Sequence, residues 1–342
     1  MATFSIFDET LSDLRQRFED LGHQSFRANQ IYRWVFKKYV FDFAMMKSLP
    51  ASLRLKLSST ARIDLPKVVK EETEPGSAHK FALNLSDGHI IESVLIRDRD
   101  RRTLCLSAQI GCPLGCTFCA SGKHGFVRNL RASEIVGQYL AVCSKLKPST
   151  KISNLVFMGM GEPLLNADAV LTAIRIFNDP DGAHIGARKI TISTIGIAKG
   201  LERLQELDMQ FNLALSLHAV DPDVRSRLVP ARQVMNPNEI REFCCAFTRR
   251  AGREVTIEYV LVRGVNDSPE DARALADYVR DIPCNVNLIP YNPHPFCSLE
   301  SPSDKNVTRF KRTLQSAGVK APVRKSCGQN IHAACGQLAM RT

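Results

Sequence analysis

Residues 103–122, TLCLSAQIGCPLGCTFCASG, place Cys112, Cys116 and Cys119 in a C-x3-C-x2-C spacing on a loop broken by glycine and proline. Thiolates this close in sequence can converge on one soft metal centre. Three of them suit an iron–sulfur cluster with one iron left open, because a full cubane takes four thiolates. An open iron is a place where a substrate or cofactor can bind. A structural zinc site borrowing Cys105, His124 or Cys143 is a second reading of the same loop, since zinc wants four nitrogen or sulfur ligands. Three unrelated core thiols are a third.

Such a loop needs a frame to hold it. Apolar, β-rich runs at Thr103–Ala108, Asn154–Met158, Lys189–Thr194, Phe211–Leu217, Val255–Val262 and Asn285–Ile289 alternate with helical patterns near 131–146, 166–178, 198–207, 236–251, 268–281 and 303–317. Six β/α units predict a parallel sheet with helices outside. A closed barrel of eight units needs more, so the expected α/β fold is an open, partial (β/α)6 barrel. The unusual polar residues then fall at the carboxyl ends of strands. Gly161 and Glu162 follow the second strand, Ser193 ends the third, Ser216, Leu217 and His218 end the fourth, and Asn292 follows the sixth. The cysteine loop leaves its strand at the same edge, where parallel α/β folds build their sites. Each alone has a plain explanation as a tight turn, a capping hydroxyl or an Asx-turn. Together at one rim they predict a shared pocket.

Ahead of this core, residues 8–60 read as helices: LSDLRQRFEDLG, then SFRANQIYRWVFKKY behind a Ser25 cap, then a start at Ser48-Leu49-Pro50-Ala51. Phe26, Ile31, Trp34 and Val35 are expected on one buried face. KFALNLSDGHIIESVLI then predicts a hairpin around Asp87-Gly88, with Glu92 on its second arm. The expected domains are 1–62 (helical), 63–98 (β-hairpin extension), 99–331 (core) and 332–342 (C-terminal segment). The formal net charge of +11 favours a polyanionic partner. Lys305, Arg309, Lys311, Arg312, Lys320, Arg324 and Lys325 read as either a solvated face or an RNA-facing strip. No apolar run has the length of a membrane span, the N-terminus is too acidic for a signal peptide, and eleven cysteines make an odd count for a disulfide scaffold. The expectation is a cytoplasmic monomer with reduced thiols and no membrane association.

The cysteine loop followed by Gly161-Glu162-Pro163 resembles the radical S-adenosylmethionine enzymes. GFVRNLRASEIVGQ, MGMGEPLLN, ALSLHA, VTIEYVLVRGVND, NLIPYNPHP and AACGQLA are similar to the RlmN/Cfr group of RNA methyltransferases, over a span from about Phe26 to Cys335. That resemblance implies a [4Fe-4S] cluster on Cys112, Cys116 and Cys119, with S-adenosylmethionine on its open iron. It implies cofactor contacts from Gly161, Glu162, Ser193, Ser216, Leu217, His218 and Asn292. It casts Cys335 as a methyl-carrying thiol, Cys105 as the thiol that later attacks it in a transient disulfide, and Glu92 as a proton acceptor. Two S-adenosylmethionine molecules would be used per turnover, one to methylate Cys335 and one to generate a radical. The implied partners are 23S rRNA, tRNA and an electron donor such as flavodoxin. FRANQIYRW and VTIEYVL look closer to the RlmN branch, which modifies adenosine C2, than to the Cfr branch, which modifies C8. The chain departs from the group's pattern in lacking acidic residues in Gly328-Gln329-Asn330-Ile331-His332 and in carrying Cys327.

Overall fold

In the computed structural model, residues 3–147, 150–324 and 326–338 are described. Two short strands, β1 (Phe4–Ser5) and β2 (Ala61–Arg62), bracket the N-terminal helices Leu11–Asp20, Phe26–Lys38 and Ala51–Thr60. Strands β3 (Lys67–Glu74), β4 (Ala78–Asn84), β5 (Ile90–Asp98) and β6 (Arg101–Cys105) follow as an antiparallel run. A small clamp of β7 (Gln109–Gly111) and β8 (Phe126–Asn129) holds the cysteine loop between its arms. Then β9 (Asn154–Phe157), β10 (Ile190–Thr194), β11 (Asn212–Ser216), β12 (Val255–Leu261) and β13 (Cys284–Pro290) alternate with helices.

These elements form one nine-stranded sheet ordered β13-β12-β11-β10-β9-β6-β5-β4-β3. From β6 to β13 all neighbours are parallel, which gives the six strands of a partial barrel. The expected hairpin is present as β4–β5, and β3 adds a third antiparallel strand. Near Lys320–Arg324 the chain runs beside β13, with Val286 N and Leu288 N donating to Lys320 O and Pro322 O at 2.9 Å each.

Strand alternation decides which side chains reach the site. On the outer face Leu104, Leu155, Ile192, Leu215, Ile257 and Tyr259 are almost fully buried. The Tyr259 ring lies 5.5 Å from that of Phe310 on the helix Asp304–Ser316, so this face carries the helices. Each such burial contributes roughly 1.5–3 kcal/mol. On the inner face the register aligns Cys105 with Val94 and Val156, Ser193 with Ala214, Ser216 with Glu258, and Glu258 with Asn287. The helices are bounded by local chemistry. The one at Pro237–Ala251 starts in an Asn236/Glu239 capping box with proline in its first turn and ends on left-handed Gly252.

Two expectations for the N-terminal helices are corrected. Ser25 is itself helical (φ −55°, ψ −35°) and makes no capping bond. Phe26 is 47% exposed, with the Arg27 guanidinium 4.5 Å from its ring centroid. The buried stripe is Ala28, Ile31, Tyr32, Val35 and Phe36; at 100° per residue Phe26 lies off it, and Trp34 is only half-buried. Among the described residues no helix is long and apolar enough to cross a membrane.

Candidate active site

The cysteine loop is fixed at both ends. Cys112 N donates to Gly125 O at 2.8 Å, and Thr117 N to Leu228 O at 2.9 Å. The C-terminal segment closes over the loop: Ala120 N donates to Gly336 O at 2.7 Å, and Ser121 Oγ to Leu338 O at 2.6 Å. Cys112, Cys116 and Cys119 line one wall of a cavity with about 930 Å³ of empty space, part of it open to solvent. Gly161, Glu162, Ser193, Ser216, His218, Asn292 and Cys335 line the same cavity.

Burial pushes the Cys112 thiol up to about 12, and raises Cys116 and Cys119 as well. Such thiols become thiolates only when a cation neutralises them, as metal ligands do. Among the described residues no three His, Cys, Asp or Glu groups gather as a single metal ion requires. A cubane asks for a different arrangement, because each thiolate ligates its own iron around a cage. His124, a candidate fourth zinc ligand, packs edge-on against Phe296 at 4.8 Å. Three sulfur donors on one cavity wall, with Cys116 within electrostatic reach of Cys119 and Cys112, fit an iron–sulfur cluster.

Glu162 is a keystone of the rim. Its carboxylate accepts from Leu164 N and Ile195 N at 3.0 Å each, while its own N donates to Gln109 Oε1 at 2.9 Å. Burial raises its carboxyl to about 7 against these bonds. Gly161 has φ +89°, and a Cβ there would lie 2.4 Å from Gln109 Cβ, so both backbone and space demand glycine. His218 is buried, with φ +63°. Its Nδ1 accepts from Val260 N at 3.2 Å and its ring meets Phe118 edge-on at 4.7 Å. Desolvation lowers it to about 3, so the ring is neutral.

Asn292 spends its amide on the C-terminal segment. Nδ2 donates to Cys335 O at 3.0 Å, and Oδ1 accepts from Gln329 Nε2 at 2.8 Å. Leu217 is fully buried and does not line the cavity; its O accepts from Arg225 Nε at 3.0 Å. Cys105 is buried at the end of β6, and Glu92 lies on the same inner face, two residues before Val94. The Glu92 carboxylate is 3.3 Å from Lys80 Nζ, which in turn is 2.8 Å from Glu72. Burial pushes the Cys105 thiol up to about 12; charge on Cys335 pushes the same way and Arg324 opposes it. The two thiols thus stand within electrostatic reach of each other.

Several residues here escaped the sequence reading. Arg225 is buried with its guanidinium donating to the carbonyls of Leu217, Ile195 and Met235 at 2.8–3.0 Å, tying three rim loops together. Glu258 is buried and lines the cavity; burial raises its carboxyl, opposed by Arg324 and Asn287. Its signal was an acid inside an otherwise apolar strand. Arg324 corrects the expectation of a basic surface strip. Pairing beside β13 turns it into the cavity, where Cys335, then Glu258, Cys105 and Cys327, raise its already high pKa. Lys325 of that strip lies outside the described residues. Lys305, Arg309 and Arg312 do form an exposed groove on the helix Asp304–Ser316.

Comparison with known proteins accounts for this arrangement. The Radical SAM superfamily model matches residues 106–276, and the ribosomal RNA large subunit methyltransferase N-terminal domain model matches residues 4–63. The dual-specificity RNA methyltransferase RlmN of Halorhodospira halophila is 43% identical, over 94% of this chain and 89% of its own length. A probable RlmN of Dictyoglomus thermophilum is 42% identical over 98% of this chain and 96% of its own. The crystal structure of a radical SAM methyltransferase from Sphaerobacter thermophilus superposes with a TM-score of 0.93 at 39% identity, over 99% of this chain and 100% of that one. The chain belongs to the RlmN family of radical S-adenosylmethionine RNA methyltransferases, whose cofactors are a [4Fe-4S] cluster and S-adenosylmethionine.

Proposed function

We propose that this chain methylates C2 of one adenosine in 23S rRNA and of the adenosine 3′ to the anticodon in tRNAs, through a methyl group carried on Cys335. The observation that supports this reading is that Cys105, at the end of the first barrel strand, stands within electrostatic reach of Cys335, on the C-terminal segment that closes over the cysteine loop. Cys112, Cys116 and Cys119 would hold the cluster, with Gly161, Glu162, Ser193, Ser216, His218 and Asn292 around the cofactor; Leu217 stands behind them, its carbonyl anchoring Arg225. When bound, these cofactors supply a methyl group by displacement and, on reductive cleavage, a radical that removes hydrogen.

The chain's own residues do the rest. Cys335 accepts the methyl group on sulfur, as a thiolate nucleophile. Once its carbon is joined to the base, Glu92 would take the proton from C2 while the adduct's unpaired electron leaves to the redox centre that Cys112, Cys116 and Cys119 would hold, and Cys105 then attacks the Cys335 sulfur. That attack forms an S–S bond as the S–C bond breaks; the electron pair left on carbon takes up a proton, which completes the methyl group on RNA, and a reductant must reopen the disulfide. The target adenosine has to be unstacked to reach the cavity. In this reading the enzyme works as a cytoplasmic monomer, fed by a flavodoxin-type electron donor.

The test is mass spectrometry of RNA treated with reconstituted enzyme. We expect 2-methyladenosine from the native protein, none from Cys335→Ala, and RNA covalently linked through Cys335 in Cys105→Ala. 8-Methyladenosine as the product would overturn the assignment of the carbon, and full turnover by Cys335→Ala would overturn the relay.

A further inference from the structure

Two charged side chains in the cavity have no task in the scheme above. Glu258 lies between Ser216 and Asn287 in the sheet register and so projects from the inner face. Arg324 enters from the chain beside β13, and its Nη1 donates to Met158 Sδ at 3.4 Å. Both line the cavity with Cys335, and each feels the other's charge. Among the described residues, however, no ion pair within 4.0 Å joins them. Opposite charges held beyond contact in a buried site keep only part of the attraction that would offset their desolvation. A polar ligand placed between them restores it.

The chemistry of the pair describes that ligand. A guanidinium only donates, whereas the carboxylate, with Oε2 already accepting from Asn287 Nδ2 at 2.8 Å, offers an acceptor. The complement is an N–H donor beside a ring-nitrogen acceptor, which is the Watson–Crick edge of adenine. Cys335, the sulfur proposed to carry the methyl group, lines the same cavity as Glu258 and Arg324. We infer that Glu258 and Arg324 read the target adenine, Glu258 accepting from the 6-amino group and Arg324 donating to N1, beside the carbon that is methylated. The inference rests on the adenosine-C2 reading. A donor at N1 would also stabilise charge drawn onto the ring as C2 takes its new bond. Guanine reverses both contacts, with an oxygen at C6 and a hydrogen on N1.

The experiment uses reconstituted holoenzyme and anticodon stem-loop RNAs carrying adenosine, purine riboside or 7-deazaadenosine 3′ to the anticodon. Purine riboside keeps N1 and lacks the 6-amino group; 7-deazaadenosine keeps the whole Watson–Crick edge. With wild type we expect kcat/KM to fall at least about a hundredfold on purine riboside and less than about threefold on 7-deazaadenosine, as for a site built to hydrogen-bond one group. In Glu258→Gln, Asn287 would hold the amide oxygen and turn the NH2 toward the base. The preference for adenosine over purine riboside should then collapse to within about tenfold. Equal use of purine riboside by wild type overturns the inference, and so does a large loss with 7-deazaadenosine, which would move the contact to the other edge. Loss of Cys335 methylation in Glu258→Gln, read by intact mass, would assign that carboxylate to the cofactor instead. If wild type leaves the adenosine stem-loop and 23S rRNA both unmethylated, the functional reading fails first and the base-reading pair with it.

Discussion

His218 shows how one side chain is set by its surroundings. Its left-handed backbone brings Nδ1 to the Val260 amide, and burial keeps the ring neutral to about pH 3. The unfolded chain protonates the same ring near pH 6.5. Between those values the unfolded state binds the extra proton, so stability rises with pH across the window and is lost as pH falls through it. Lowering the pH from 7.5 to 5.5 should therefore remove about 1.4 kcal/mol of stability through this group alone. Urea midpoints of the cluster-free protein at the two pH values measure it against His218→Asn, which tolerates the left-handed backbone and keeps an acceptor for Val260. Equal pH slopes in the two proteins would show that His218 is not the group involved.

At the scale of elements, the first residue of a strand decides which side chains meet, since a shift by one exchanges the two faces. With Cys105 opposite Val156 and Ser216 opposite Glu258, thiol, hydroxyl and carboxylate share the concave face. The C-terminal segment is the other positioning element. Glu74, at the end of β3, accepts from Gly328 N at 2.6 Å and Asn330 Nδ2 at 2.8 Å. Gly328 has φ +77°, and a Cβ there would lie 2.7 Å from Ala333 Cβ. This turn aims residues 333–336 at the cysteine loop. Glu74→Ala should leave cluster absorbance unchanged and slow Cys335 methylation roughly tenfold, less than the hundredfold that an ångström of misplacement can cost. An unchanged rate would mean that the Asn292 and Ala120 contacts suffice.

For the whole molecule, the N-terminal helices are joined to the core through Asp181, which accepts from Arg33 Nε at 2.8 Å and Asn29 Nδ2 at 2.6 Å, and through Lys37 Nζ to Gly182 O at 2.8 Å. The basic balance of the chain, +11, is spread over both parts. Binding of a tRNA anticodon stem-loop should weaken steeply with salt, log K falling linearly with log salt at a slope of about −0.7 per phosphate contacted. Fluorescence anisotropy between about 50 and 200 mM salt measures it. A flat response would separate RNA recognition from the charge.

Local physics made much of this legible. Apolar alternation located all six barrel strands, Asp87-Gly88 marked the β4–β5 hairpin, and close cysteine spacing marked the loop, because each signal depends on neighbours in sequence. Ser25 and Phe26 misled, since a helix's true phase depends on the surface it packs against. Arg324, Glu258 and Arg225 were not legible either. Whether an arginine is a surface charge or a cavity donor depends on which strand its chain lies beside, here β13, and that is decided by contacts between residues far apart in sequence. The approach of Cys105 to Cys335 belongs to the same class: the chain supplies the two sulfurs, and only the folded sheet and its C-terminal turn bring them within electrostatic reach of each other.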